Sequence, residues 1–167
     1  MDLQGGRLSS STVPRGLKVL NAATKPAKSP AEEDWKTKRE VLLQNKVRSV
    51  EVKEALRLQK ENKFVILDVR PEAEFKEVHP SGAINVQKKI PEFLQTVESK
   101  INKNSKIIVA CSAGGTMRPS QNLPEGQQSR SLIAAYLLVL NGYKNVFHLE
   151  GGLYTWFKEG LPAESEE

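Results

Sequence analysis

The chain has 167 residues, 25 Lys/Arg against 20 Asp/Glu, one cysteine and two histidines, enough for one ordinary core and little more. Its longest apolar run, "LIAAYLLVL" from Leu132, is far short of the ~20 residues that cross a bilayer; a single cysteine excludes an internal disulfide, and a Cys/His zinc site lacks its usual ligands. Residues 1–48 carry 10 Lys/Arg and 5 Asp/Glu and the remainder 15 of each, so the net +5 belongs to the N-terminal segment, and a neutral folded part offers no electrostatic case for a nucleic-acid backbone.

Residues 1–30 are rich in Ser, Thr, Gly, Pro and basic side chains, have Asp2 as their one acid, and show no sustained periodicity. Such a segment cannot offset the entropy of ordering itself, so it is expected to be disordered. Its Ser-rich, basic, acid-poor character without a long apolar stretch fits a transit peptide better than a secretory signal. Residues 31–48 read as a charged helical extension, with Glu33 and Asp34 early and Lys46 and Arg48 late, the order the helix dipole favours. Trp35, Val41, Leu42 and Leu43 would dock it.

Ser49 is expected to cap a short surface helix running to residue 62, with Val52, Leu56 and Leu58 as its apolar stripe. The near-continuous apolar run over 64–69 predicts a strand buried on both faces. A Pro71-led turn or short helix, a Pro80-Ser81-Gly82 turn and a short strand over 83–86 come next. Residues 91–101 read as a helix, 106–110 as a second buried strand, and 131–143 as a helix closed by Asn141-Gly142. A third strand over 145–149, a last short helix over 151–162 and an acidic tail over 163–167 complete the chain. Strands alternating with helices at this spacing predict an α/β domain with a mainly parallel sheet flanked by helices.

The lone thiol, Cys111, ends the strand over 106–110, and the next long helix opens near 129–132. In open α/β sheets ligands bind at the carboxyl ends of strands, where helix N-termini also point. A sulfur there would lie among backbone N–H groups and the positive end of a helix dipole, surroundings that favour the nucleophilic thiolate. Arg130, in the first turn of that helix, would add a fixed positive charge. A cysteine at a strand end is also ordinary packing, and position alone does not separate the two readings. The Gly114-Gly115 pair favours the nucleophile, because consecutive glycines permit the positive φ values by which a loop turns its N–H groups inward. Asp68 and Arg70 read as a structural ion pair or turn. His79 precedes a proline in a turn and His148 lies in an apolar strand; neither has a carboxylate partner in sequence that suggests a base. Trp156 reads as a core anchor.

Two stretches carry a family resemblance. "FVILDVRPEAEFKEVHPSGAINV" is similar to the first signature of the rhodanese (thiosulfate sulfurtransferase-like) family: an apolar strand, Asp-Val-Arg, a Glu-Phe pair, then His-x-x-Gly-Ala-x-Asn. "IIVAC…SRSLIAAYLLVLNGYKNVFHLEGGLYTWFKEGLP" resembles the second: strand, cysteine, Arg-Ser opening a helix, Leu-x-Gly-Gly-x-x-x-Trp and Gly-x-Pro. The resemblance spans about residues 49–162 and extends in particular to the single-domain rhodanese-like proteins of plant chloroplasts. It implies a rhodanese-like α/β fold with helices on both faces of the sheet, a plastid location, a monomer and no cofactor. The implied activity is sulfane-sulfur transfer from a small donor such as thiosulfate to a thiol or protein acceptor. Cys111 would carry the persulfide, Arg130, Gly114, Gly115 and Ser129 would hold the substrate, and Asp68 and Arg70 would support the site.

One departure from that family pattern is large. The family has Cys-x-x-Gly-x-Arg-Ser, whereas Arg130 lies 19 positions after Cys111. The extra residues fall within "SAGGTMRPSQNLPEGQQ", a turn-rich run that closure entropy tolerates easily. Either the cradle is spacious and admits a bulky acceptor, or its N–H groups no longer converge. Two other functions are open: an interaction module that presents the long loop as a recognition surface, and a phosphatase-like enzyme of the same fold. The phosphatase pattern Cys-x5-Arg is missed by one residue at "CSAGGTMR", and Pro119 after Arg118 argues against a helix starting there.

Overall fold

The computed structural model describes residues 33–166; the transit-peptide expectation for residues 1–30 lies outside the described residues. In chain order the elements are α1 (Trp35–Gln44), β1 (Arg48–Val50), α2 (Val52–Asn62), β2 (Val65–Asp68), α3 (Glu72–Glu77), β3 (His79–Pro80), β4 (Ile84–Asn85), α4 (Glu92–Lys100), β5 (Lys106–Ala110), α5 (Arg130–Leu140), β6 (Asn145–Leu149), α6 (Gly152–Lys158) and β7 (Ala163–Glu164). Five strands form a sheet in the order β1-β6-β5-β2-β4, with every pairing parallel. β3 and β7 pair antiparallel in a separate ribbon.

Parallel strands need helical crossovers, and the crossovers cover both faces. Alternation along β5 divides the core between them. Ile107 and Val109 join α1, α4 and α5 on one side through Leu42, Phe93, Val97, Leu132 and Leu138. Ile108 and Ala110 join α2 and α6 on the other through Val52, Leu58, Leu153 and Trp156. Each Val, Leu, Ile or Phe among these, once fully buried, contributes about 1.5–3 kcal/mol relative to exposure. Trp156 is wholly buried and its indole N–H donates to the Pro162 carbonyl at 3.0 Å, so this large side chain is both packed and satisfied.

The N-terminal half corrects several expectations. Ser49 caps no helix; it pairs in β1 opposite His148, and Glu51 precedes α2 without a side-chain cap. A three-residue edge strand leaves no periodic signal, so its existence is decided by pairing with β6. α1 is capped by Asp34, which accepts from the Thr37 amide at 2.9 Å, but it stops at Gln44, so Lys46 and Arg48 lie past its end. The stop is visible in the backbone, since Lys46 adopts φ +59°. Of the four docking side chains expected on α1, Leu42 is buried, Trp35 and Val41 are partly buried, and Leu43 is exposed. On α2 the buried stripe is Val52, Ala55 and Leu58, with Leu56 at its margin. His79 lies in β3 rather than in a turn, buried and stacked on Phe75, whose carbonyl is 2.7 Å from Nδ1.

Candidate active site

Side chains along β5 alternate, so Cys111, next after Ala110, continues the series Ile107 and Val109 toward α5. It is buried with 5 % exposure. Its Sγ donates to the hydroxyl of Ser131, the second residue of α5, at 3.2 Å. Ser129 is the N-cap of that helix: its Oγ accepts from the Leu132 amide at 3.2 Å and donates to the Gly114 carbonyl at 2.8 Å. The two hydroxyls are 3.1 Å apart. Sulfur, hydroxyl and cap thus converge at the N-terminus of an eleven-residue helix, where the macrodipole favours negative charge.

The loop after Cys111 is pinned by its carbonyls. The amides of Leu153 and Tyr154, at the start of α6, donate to the carbonyls of Cys111 and Ser112 at 2.9 and 3.0 Å. Within a trans peptide the C=O and the next N–H point in opposite directions, so the N–H groups of Ser112 and Ala113 face away from α6. Gly114 and Gly115 adopt φ +89° and +61°, conformations that only glycine takes up cheaply. Among the described residues no backbone carbonyl accepts from the amides of Ser112, Ala113, Gly114 or Gly115.

His148 braces this loop from β6. Its ring is fully buried, with Nε2 hydrogen-bonded to the Gly114 carbonyl and Nδ1 3.0 Å from Ser49 Oγ. The carbonyl can only accept, so Nε2 carries the proton and Nδ1 accepts from the serine. Burial pushes the imidazole below its ordinary value, against the opposing pull of the Gly114 carbonyl and the Glu150 carboxylate. Glu150 Oε1 lies 3.9 Å from Nδ1 and is buried without a hydrogen-bond partner among the described residues.

In front of the thiol opens a cleft of about 730 Å³. Arg130, exposed at the first position of α5, lines it together with Arg70, Glu74 and Gln128. The Arg70 guanidinium is held by Asp68, with Nε 3.0 Å from Oδ1 and Nη2 2.8 Å from Oδ2, and Nη2 also donates to the Val78 carbonyl at 2.7 Å. Asp68 additionally accepts from the Arg70 amide at 3.0 Å. Both members of this buried pair are therefore multiply bonded, which offsets the cost of taking the charges out of water.

The long segment between Cys111 and Arg130 is organised as a hairpin. Thr116 and Gln127 exchange backbone hydrogen bonds of 2.9 and 2.7 Å, so residues 117–126 loop out between two paired ends. Below that bridge Gly115 lies directly against Ser129; a Cβ on Gly115 would be 2.7 Å from that of Ser129. Arg118 is exposed and lines an adjoining cavity of about 330 Å³ with Glu51 and Glu159; Glu150 and Gly151 are shared between this cavity and the cleft in front of Cys111, but Arg118 does not line the cleft. No helix begins at Arg118, so the Cys/Arg arrangement of a phosphatase is absent among the described residues.

The structure brings Cys111, Gly114, Gly115, Ser129 and Arg130 to one place, with Arg70 at the rim and Asp68 behind it. Ser131, His148, Glu74 and Glu150 are the neighbours that sequence reasoning missed. A faint signal existed for two of them: residues 148 and 150 are two apart along a strand direction and so share a face. Ser131 and Glu74 stood in the Arg-Ser and Glu-Phe pairs of the resemblance, but nothing local tied either to Cys111 or its loop, because their partners are distant in sequence.

The architecture is that of a parallel α/β domain whose central strand delivers a cysteine to the N-terminus of the following helix. Residues 51–159 match the rhodanese-like domain, and the chain belongs to that family. It is 62% identical over 179 residues to rhodanese-like domain-containing protein 14, chloroplastic, of Arabidopsis thaliana, covering 90% of this chain and 80% of that protein. Thiosulfate sulfurtransferase 16, chloroplastic, of the same plant is 34% identical over 108 residues, covering 59% of this chain and 78% of that protein. Among solved structures, the polysulfide-sulfur transferase homodimer of Wolinella succinogenes superposes with a TM-score of 0.54 at 22% identity, covering 84% of this chain and 96% of that one. The likeness to that structure speaks for the fold. Sulfurtransferases thus recur among the chain's relatives.

Proposed function

We propose that this protein is a plastid sulfurtransferase in which Cys111 carries sulfane sulfur as a persulfide. The observation that carries the reading is the 3.2 Å contact between Cys111 Sγ and Ser131 Oγ at the N-terminus of α5, opening onto the cleft. The Cys111 thiolate attacks the outer sulfur of thiosulfate, the S–S bond of the donor breaks, and sulfite leaves with the electron pair. An acceptor thiolate then attacks the outer sulfur of the persulfide, and Cys111 leaves as thiolate. Every species on this path is anionic at the reacting sulfur, so Arg130, the Ser131 hydroxyl and the N–H groups of residues 112–115 lower the barriers of both steps. No cofactor enters.

In this reading Gly114, Gly115 and Ser129 shape the anion cradle, Asp68 and Arg70 fix its far wall, and residues 49–162 form the catalytic domain of a monomer. Residues 1–30 are its transit segment, which agrees with their composition and with the chloroplastic name of the relative at 62% identity. A reporter fused to residues 1–30 should be taken up by isolated chloroplasts. For the chemistry, mass spectrometry of reduced protein mixed with thiosulfate should find one added sulfur atom on Cys111, removable by cyanide or a thiol. A folded, reduced sample that stays unmodified by thiosulfate would overturn the reading for that donor.

A further inference from the structure

Helix α1 lies outside residues 51–159, yet three of its side chains reach the hairpin beside Cys111. Trp35 Nε1 donates to the Glu125 carbonyl at 2.7 Å, Lys38 Nζ to Gln128 Oε1 at 2.8 Å, and Arg39 Nε to the Met117 carbonyl at 2.9 Å. Positions i, i+3 and i+4 share one helix face, so one side of α1 grips both limbs of the hairpin. Met117 adjoins the Thr116–Gln127 bridge on the outgoing limb, and Gln128 immediately precedes the N-cap Ser129 on the returning limb.

The grip is anchored at both ends. Leu42 of α1 and Met117 of the hairpin are buried in the same core cluster. Lys38 is 1 % exposed; an ammonium is taken out of water at this cost only where its donors are placed on acceptors. The same hairpin supplies Leu123, Gln127 and Gln128 to the cleft.

We infer that α1 is a positioning element of the Cys111 cleft: Trp35, Lys38 and Arg39 hold the hairpin as a fixed wall, and that wall decides how bulky a donor or acceptor reaches the sulfur. The inference rests on the sulfurtransferase reading only for the identity of the reactants. Access to Cys111 is set by the clamp whatever reacts there.

Because the chain has a single cysteine, alkylation of the full-length protein reports on this cleft alone. The quantity to measure is the rate with a polymer-linked maleimide divided by the rate with iodoacetamide. In Trp35→Phe and Arg39→Met, each of which removes the donor, that ratio should rise about fivefold, the weight of one hydrogen bond in an opening equilibrium. Arg39→Lys, which keeps a donor for the Met117 carbonyl, should restore most of the wild-type ratio. With thiosulfate as donor, the KM for glutathione should change more than the KM for cyanide. An unchanged alkylation ratio in folded variants overturns the inference. Hydrogen exchange on the wild-type protein gives an answer that needs no variant: the Thr116 and Gln127 amides should open together with those of α1, and free exchange of the bridge beside a protected α1 also overturns it. Absence of sulfur transfer in the wild type would refute the enzyme while leaving the alkylation ratio readable, so the two failures are distinct.

Discussion

His148 donates from Nε2 to the carbonyl of Gly114, joining β6 to the loop that follows Cys111. The Nε2 donor is kept in either charge state, but acceptance of the Ser49 hydroxyl by Nδ1 requires a neutral ring, and burial is what disfavours the charged form. Its folded value lies below that of the unfolded chain, which for histidine is about 6.5. As pH falls through that region the unfolded chain takes up a proton that the folded state refuses, so stability declines with falling pH until the folded ring also titrates. The wild-type Tm should therefore drop more steeply between pH 7 and pH 5.5 than that of His148→Gln, whose amide still donates to Gly114 but does not titrate. Equal slopes would mean that another group governs acid sensitivity.

Ser131 is the hydroxyl in contact with Cys111 Sγ. When the thiol ionises it no longer donates, and the serine can rotate its proton onto the sulfur. Hydrogen bonds to a charged partner are worth about 1.5–3 kcal/mol, so Ser131→Ala should slow alkylation of Cys111 by iodoacetamide at pH 7 by roughly tenfold or more. Ser131→Thr keeps the hydroxyl and should retain most of the rate if the added methyl is accommodated. Should Ser131→Ala react as fast as wild type, the thiolate is stabilised from elsewhere in the cradle.

Arg130 and Arg118 separate the two possible sources of positive charge. Arg130 is fixed by the first turn of α5 and lines the cleft, whereas Arg118 faces the neighbouring cavity. Partly exposed charges in such positions change local ionic equilibria by about a factor of ten. Arg130→Ala should raise the KM for thiosulfate by roughly that factor, and Arg118→Ala by less than about twofold. Steady-state kinetics at fixed ionic strength decide it. A larger effect from Arg118 would show that the hairpin closes over the thiol during turnover.

What was legible in the sequence was what repeats. The buried runs that became β2, β5 and β6 announce themselves by continuous apolar composition, and α5 by an apolar stretch bounded by Ser129 and Asn141-Gly142. From Cys111 at the end of β5 and Arg130 at the start of α5 the place of the site followed. β1 escaped because three residues, Arg48 to Val50, hold no pattern, and only their register against Phe147, His148 and Leu149 makes them a strand. The grip of α1 on the hairpin escaped for a different reason. Lys38 and Arg39 look like any solvated charges in "WKTKRE", and their partners Gln128 and Met117 lie 90 and 78 positions away. Contacts at such separation are written in the fold, and the local sequence carries no trace of them.

Gly126 tests whether the hairpin closure matters to the site. It has φ +76°, and a Cβ there would lie 2.2 Å from the Thr116 carbonyl oxygen, a backbone atom already bonded to the Gln127 amide. An alanine can be fitted only by breaking the Thr116–Gln127 bridge. Gly160 provides the matched control, since it has φ +71° with nothing within 4 Å of the added atom. Gly160→Ala should show the backbone penalty alone, about 1–2 kcal/mol. Gly126→Ala adds loss of the bridge, and its total cost should exceed that of the control by about 1–3 kcal/mol. Denaturant unfolding of both variants gives the difference. The same Gly126→Ala protein should admit the polymer-linked maleimide to Cys111 faster than wild type, while Gly160→Ala should not. If the two variants lose equal stability and protect Cys111 equally, the Thr116–Gln127 pairing contributes nothing to the cleft, and the hairpin wall must be held by α1 and the Met117 packing alone.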